Sequence, residues 1–354
     1  MPAEIDERGL VFRREIAEQP AALRRLAATR ATFAEIAAEA RARDATLVRL
    51  VGHGSSDNAA SYGVYSFGLL PGWTAMRDSI SLTVNYGAER DLHGSFVVAL
   101  SQSGRTPDVV EYVTRARAQG AFTVGVTNHA DSDLAQVADA VIDLSAGPEH
   151  AVAATKTYLN TVASLALLAA YAAGEGERYA DGILEVADLL DELLPGLEEA
   201  MPAVALPFAF VGRMFVIGRG HEFATAREIA LKLLETCYVA AEPLTATDLA
   251  HGPIAALDPL FPVWAVASAG EMLPAIIEAA TRIHEVGATI VASGTAAEAL
   301  TDARYVLSVP TPSLPLLSPL LSVVPGQVFA RGLALARGLD PDHPRGLSKV
   351  TLAR

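Results

Sequence analysis

The 354-residue chain has a single cysteine, Cys237, so no internal disulfide can form. Cys237 lies in an apolar helical pattern and reads as a buried structural thiol rather than a nucleophile, which fits a reducing cytoplasm. Positive charge is also short: 27 Lys and Arg stand against 41 Asp and Glu, a formal charge of -14. That balance argues against nucleic acid or an anionic membrane surface as the main partner. An anionic ligand must then be attracted by local groups, because the global field repels it. Long hydrophobic runs are missing as well. The stretch 162–174 is too short to span a bilayer, and 314–324 is broken by prolines. The first eight residues are charged and lack the apolar segment of a signal peptide. Together these features read as a soluble, cytoplasmic protein.

What remains is half apolar, rich in Ala and Leu, and long enough for two domains of the usual size, roughly 100 to 200 residues each. Residues 1–44 carry helical periodicity with Ala, Leu and Ile on one side and Arg and Glu on the other. Strand patterns follow at 46–51, 80–84, 96–100, 122–126 and 140–144. They alternate with helical patterns at 58–67, 107–119, 132–137 and 152–173, which implies an α/β unit with a parallel sheet flanked by helices, over 45–173. A polar, acidic stretch around spaced leucines suits a connecting helix over 174–203. The pattern then restarts over 204–338: Met214-Phe215-Val216-Ile217-Gly218-Arg219-Gly220 echoes Leu50-Val51-Gly52-His53-Gly54, and 262–271 echoes 96–105. An irregular tail closes the chain at 339–354.

The most informative stretch is Leu100-Ser101-Gln102-Ser103-Gly104-Arg105-Thr106. It follows an apolar strand pattern and precedes helix-start chemistry, with Thr106 as N-cap, Pro107 as first helical residue and Asp108 in the first turn. Uncapped amides, a helix dipole and the Ser101, Ser103 and Thr106 hydroxyls make such a turn an anion cradle. Gly54-Ser55-Ser56 follows the first strand in the same way, so both loops belong at the carboxyl ends of the strands, where ligands bind α/β sheets. A dinucleotide fingerprint is disfavoured, because 52–57 lacks its third glycine and no acidic residue ends a following strand at the expected distance. The second half has Ala269 where the first has Ser103, which leaves one phosphate cradle per chain.

Helical periodicity from 222 to 238 buries Ile229, Ala230, Leu233, Leu234 and Cys237 and sets Glu228, Lys232 and Glu235 on the opposite stripe. By pattern alone that stripe is a solvated salt-bridge face. His251-Gly252-Pro253 and the tail residues Pro344, Arg345 and Lys349 are equally unremarkable in isolation.

Taken in order, these stretches resemble the double sugar isomerase (SIS) domain family, and in particular the isomerase half of glucosamine-6-phosphate synthase. The resemblance covers 54–56, 101–104, 152–156, 218–220, 228–235, 251–253 and 344–349. It implies two tandem SIS domains and assigns roles by position. Ser56, Ser101, Gln102, Ser103 and Thr106 would hold a sugar phosphate, with Gly54, Ser55, Val152 and Ala153 lining the site and Glu149 near the substrate. Glu235 would move a proton between C1 and C2, with Glu228 and Lys232 beside it. His251 would open the sugar ring, reaching across from a neighbouring subunit, and Lys349 would form an imine with the open ketose. A homodimer with a shared site, no metal and no organic cofactor follow from the same resemblance. Ala154, Arg105, Asp248 and Ala250 replace a serine, a glutamate, a glutamate and a lysine of the synthase pattern. They leave the acid-base set intact and bear on substrate recognition. The 354 residues hold no glutaminase portion and no N-terminal cysteine nucleophile. The expected activity is therefore deamination of glucosamine 6-phosphate to fructose 6-phosphate. The alternatives are a fructosamine-6-phosphate deglycase, an enzyme for another amino-sugar phosphate, or a non-catalytic sensor.

Overall fold

A computed structural model describes residues 7–349. Three helices lead in: α1 (Leu10–Ala17), α2 (Gln19–Ala28) and α3 (Arg30–Ala42). The first sheet unit comprises β1 (Leu47–Val51), α4 (Ser55–Leu69), β2 (Thr74–Arg77), α5 (Ile80–Val84) and β3 (Ser95–Leu100). It continues through α6 (Pro107–Ala118), β4 (Phe122–Thr127), α7 (Asp133–Val137) and β5 (Ala140–Asp143). Two long helices follow, α8 (Lys156–Ala173) and α9 (Gly176–Ala205). The second unit contains β6 (Arg213–Gly218), α10 (Phe223–Cys237), β7 (Ala240–Thr245), α11 (Ala246–Ala250) and β8 (Val263–Val266). It ends with α12 (Leu273–Glu285), β9 (Ile290–Gly294), β10 (Tyr305–Ser308), α13 (Ser318–Ser322) and α14 (Val324–Ala336).

The sheets are parallel, with orders β2-β1-β3-β4-β5 and β10-β9-β8-β6-β7. Counted from the first strand of each half, both follow the order 2-1-3-4-5. The sequence echo is thus a repeat of topology, and each half has its crevice where the strand order reverses. Every residue of β3 and β4 is buried, as expected for central strands covered on both faces. One large core joins the halves. It runs from Phe12 and Leu23 through the almost wholly buried α8 to Ile229, Trp264 and Phe329.

Several sequence expectations are corrected. Residues 80–84 form α5 rather than a strand, because the Ser79 hydroxyl caps the turn by accepting from the Leu82 amide. The missing strand is β2, an edge strand whose partly exposed residues give no apolar signal. The helix expected from 152 begins at Lys156, since carboxylates claim the amides ahead of it. Leu234 is exposed, whereas Glu228 and Lys232 are fully buried, so the charged stripe of α10 faces inward. Pro315–Ala336 is long and apolar enough to cross a membrane by length and composition, but most of it is buried within the fold against elements such as α9 and α10.

Candidate functional site

The site is built at the switch point of the first sheet, between the ends of β1 and β3. After β3 the backbone reverses at Gly104, whose φ is 62°. A Cβ there would overlap Ser132 Oγ, so only glycine fits. The Gly104 amide donates to Ser101 Oγ at 3.1 Å, the Arg105 amide to Ser103 Oγ at 3.3 Å, and the Ser101 and Thr106 hydroxyls meet at 3.1 Å. Thr106 has the extended backbone of an N-cap, but its hydroxyl makes no capping bond to α6. The Gln102 carbonyl is tied down by the Asn128 amide at 3.0 Å, which fixes the floor of the turn. Ser101, Gln102, Ser103 and Thr106 form one wall of a cleft of about 530 Å³.

Gly54, Ser55 and Ser56, at the start of α4, form the facing wall. The third side is the loop between β5 and α8, which contributes Val152 and Ala154. Ala153, by contrast, is buried in the core. This loop is held by two acidic side chains. Glu15 of α1 accepts the His150 and Ala151 amides at 2.5 and 3.1 Å, and Glu149 accepts the Thr155 and Thr157 amides at 3.0 and 3.1 Å.

The C-terminal tail closes the cleft. Lys349 lines it, with its Nζ 2.6 Å from Glu149 Oε2 and 2.8 Å from the Ala151 carbonyl. Burial pushes the Glu149 carboxyl up, but Lys349, the Thr157 hydroxyl and the Thr155 amide outweigh it and hold the group below its ordinary range. The tail is anchored upstream as well. Asp342 accepts the Val11 and Phe12 amides at the start of α1, at 3.0 and 2.7 Å.

Behind the Ser55 wall stands α10. Ser55 Oγ donates to Glu228 Oε1 at 2.8 Å, Asn58 Nδ2 to Glu228 Oε2 at 2.8 Å, and Lys232 Nζ lies 3.3 Å from Glu228 and 2.7 Å from Glu235. Desolvation raises Glu228 despite Lys232 and the two donors. Burial acts to lower Lys232, yet the two carboxylates overcome it and hold the ammonium above its ordinary range. Glu235 remains 23% exposed at the end of this chain of charges, the only one of the three with access to solvent. His251, after α11, is exposed and lies outside the cleft of its own chain.

The sequence thus points to the cradle and Lys349, which line the cleft, and to the α10 charges, of which Glu228 and Lys232 reach it through Ser55 while Glu235 is not among its lining residues. It gives no role to the pair His53 and Asp108, which also line the cleft, with His53 Nε2 2.7 Å from Asp108 Oδ2. Their separation by 55 residues leaves no local spacing signal. Among the described residues no His, Cys, Asp and Glu cluster is arranged to hold a metal ion.

The SIS domain family matches residues 43–171 and 208–337, the two parallel-sheet units. The chain belongs to the SIS family. Within that family it is 35% identical over 295 residues to the isomerizing glutamine–fructose-6-phosphate aminotransferase of Mycolicibacterium smegmatis, covering 78% of this chain and 46% of the relative. The SIS chain spans about half the length of the curated relatives it matches. Its fold matches the C-terminal domain of glucosamine-fructose-6-phosphate aminotransferase from Francisella tularensis, with a TM-score of 0.87 at 23% identity over 97% of this chain and 100% of that one. It also matches glucosamine-6-phosphate deaminase from Thermotoga maritima, with a TM-score of 0.77 at 23% identity and the same coverage. At these identities the two structures speak for the fold alone.

Proposed function

We propose that the chain is a glucosamine-6-phosphate deaminase, which opens the sugar ring, transfers a proton from C2 to C1 and hydrolyses the C2 imine to fructose 6-phosphate and ammonia. The observation that carries this reading is Ser55. Its residue lines the phosphate cleft while its hydroxyl donates to Glu228 at 2.8 Å. A sugar phosphate held in the cradle therefore has its carbon chain directed toward the charged stripe of α10.

In this reading Ser56, Ser101, Gln102, Ser103 and Thr106 bind the phosphoryl oxygens with hydroxyl and amide donors. The small positive end of α6 adds to them, offsetting a net charge that would otherwise repel the ligand. Removing a proton beside a carbonyl or imine needs a positioned base and an electron sink. Glu235 is the base, exposed enough to meet substrate, and Lys232 holds it by an ion pair from a fully buried position. Glu228, hydrogen-bonded by Ser55 and Asn58, fixes Lys232 from the other side. Lys349 lines the cleft where an imine with the open-chain ketose would form. His251 acts as ring-opening acid from a second copy in a homodimer, since its own cleft does not include it.

A second reading, a deglycase for fructosamine 6-phosphates, is favoured by one feature. Ala154 lines the cleft where the synthase pattern has a serine, so a hydrogen-bonding hydroxyl is replaced by a methyl. Ammonia and amino-acid release measured across glucosamine 6-phosphate, galactosamine 6-phosphate and a fructosamine 6-phosphate separates the readings. Turnover of the first substrate in preference to the others supports the deaminase. Release of an amino acid with no ammonia from glucosamine 6-phosphate replaces it with the deglycase, and turnover of none contradicts both.

A further inference from the structure

We propose that His53, oriented by Asp108, is the base that activates the hydrolytic water in this cleft; the inference rests on the deaminase reading. Imine hydrolysis needs a group that takes a proton from water, and the residues already assigned are committed elsewhere. Among the described residues three titratable side chains line the cleft: Lys349, Asp108 and His53. Lys349 is paired with Glu149 and is assigned the imine with the open-chain ketose. Asp108 has both oxygens engaged, Oδ1 by the Val109 amide at 2.9 Å and Oδ2 by His53 at 2.7 Å. Glu228 is fully buried beside Lys232, and Glu235 is assigned the transfer between C2 and C1. Of these side chains, His53 alone has a ring nitrogen, Nδ1, with no hydrogen-bond partner among the described residues.

The chemistry of the pair determines which nitrogen that is. A carboxylate accepts only from a protonated nitrogen, so in the neutral imidazole, the form that can act as a base, Nε2 carries the hydrogen and Nδ1 keeps its lone pair. Asp108 is fixed in the first turn of α6 by the Val109 amide, and it in turn fixes the imidazole's tautomer and direction. This is the relationship by which an aspartate readies a histidine as general base. The His53 side chain is 56% exposed, so water reaches it. His53 also stands two residues before Ser55, whose hydroxyl touches Glu228, so the base belongs to the same turn that meets the acid-base stripe.

The step balances with water as the only co-reactant. A water molecule gives a proton to Nδ1 of His53 while its oxygen bonds to C2 of the protonated imine, and the C=N π pair moves onto nitrogen. His53 then returns that proton to the amine of the carbinolamine. The C–N bond breaks, its pair leaves with nitrogen, and the hydroxyl proton passes to the departing ammonia as the C2 carbonyl forms. The products are fructose 6-phosphate and ammonium.

The test separates proton transfer from hydrolysis. Wild type, His53→Gln, Asp108→Asn and Glu235→Gln are incubated with glucosamine 6-phosphate in D2O, following deuterium entry at C2 by NMR and ammonia release in parallel. His53→Gln is expected to cut kcat for ammonia release about 100-fold, with KM within a few-fold and deuterium entry retained. Asp108→Asn should lower kcat in the same sense, and Glu235→Gln should abolish both readouts. Equal loss of exchange and hydrolysis in His53→Gln, or a rise in KM alone, would overturn the assignment and make His53 a structural or phosphate-binding residue. Wild type that neither exchanges nor releases ammonia removes the deaminase reading itself, and the inference with it.

Discussion

Lys349 and Glu149 are 200 residues apart in the chain and meet at 2.6 Å, Nζ to Oε2, on the wall of the cleft. The ion pair fastens the tail to the loop that carries Val152 and Ala154. Glu15 and Asp342 strengthen the link through α1: Asp342 binds backbone amides at its start, and Glu15, from α1 itself, binds amides of the loop. The N-terminal helix is therefore a brace between tail and loop.

This pairing sets a pH dependence. The folded Glu149 carboxyl titrates below its ordinary value of 4.5, so its contribution to stability is fully present above 4.5 and is lost as pH falls through the lower folded value. Glu149→Gln should be less stable than wild type by about 1–3 kcal/mol at neutral pH, with the gap narrowing as pH falls below 4.5. Urea denaturation at a series of pH values checks this, and a difference independent of pH would contradict it.

Lys232 is buried between Glu228 and Glu235. Lys232→Met removes the only cation paired with either carboxylate among the described ion pairs and leaves Glu228 ionisable in a fully buried position. A loss of about 3–5 kcal/mol is expected, measured by chemical denaturation at neutral pH. The loss should shrink in the double variant Lys232→Met with Glu228→Gln, which removes the stranded charge.

Gly104 reports on the cradle. Its positive φ, and the overlap that any Cβ would make with Ser132 Oγ, mean that Gly104→Ala must shift the turn. Affinity for a sugar phosphate should fall at least tenfold, measured by calorimetry, with the secondary structure retained by circular dichroism. Ser103→Ala, which removes one hydroxyl and with it the 3.3 Å bond from the Arg105 amide, should cost about 1.5–3 kcal/mol of binding if that hydroxyl meets a charged phosphate.

The placement of His251 outside its own cleft makes a different kind of prediction. His251→Ala and Glu235→Gln should each be inactive alone, and mixing the two after mild dissociation should restore part of the activity through hybrid dimers. Ammonia release from the mixture is the measurement, and no recovery would assign ring opening to a residue of the same chain.

Much of this arrangement is legible in the sequence, for physical reasons that differ by residue. The β3 strand and the cradle are readable because a fully buried parallel strand is continuously apolar and a serine-glycine turn before a capped helix has few other uses. The buried face of α10 is not, because Glu228, Lys232 and Glu235 compensate one another. Mutual neutralisation allows charges to enter a core at helical spacing that usually marks a solvated face. The exposure of Leu234 is hidden for the same reason. The strand β2 gives little signal because an edge strand has one unprotected side and tolerates polar residues, while the apolar run at 80–84 belongs to a capped turn of helix. His53 and Asp108 are unreadable as a pair because only the packing of β1's turn against α6 brings them together.

The most direct measurement is the stoichiometry of products from glucosamine 6-phosphate, with Glu235→Gln alongside. Equal amounts of ammonia and fructose 6-phosphate from wild type, and neither from the variant at matched phosphate-ester affinity, is the predicted result. Stabilisation of wild type by glucosamine 6-phosphate without release of either product would contradict the catalytic account and leave a sugar-phosphate sensor in its place.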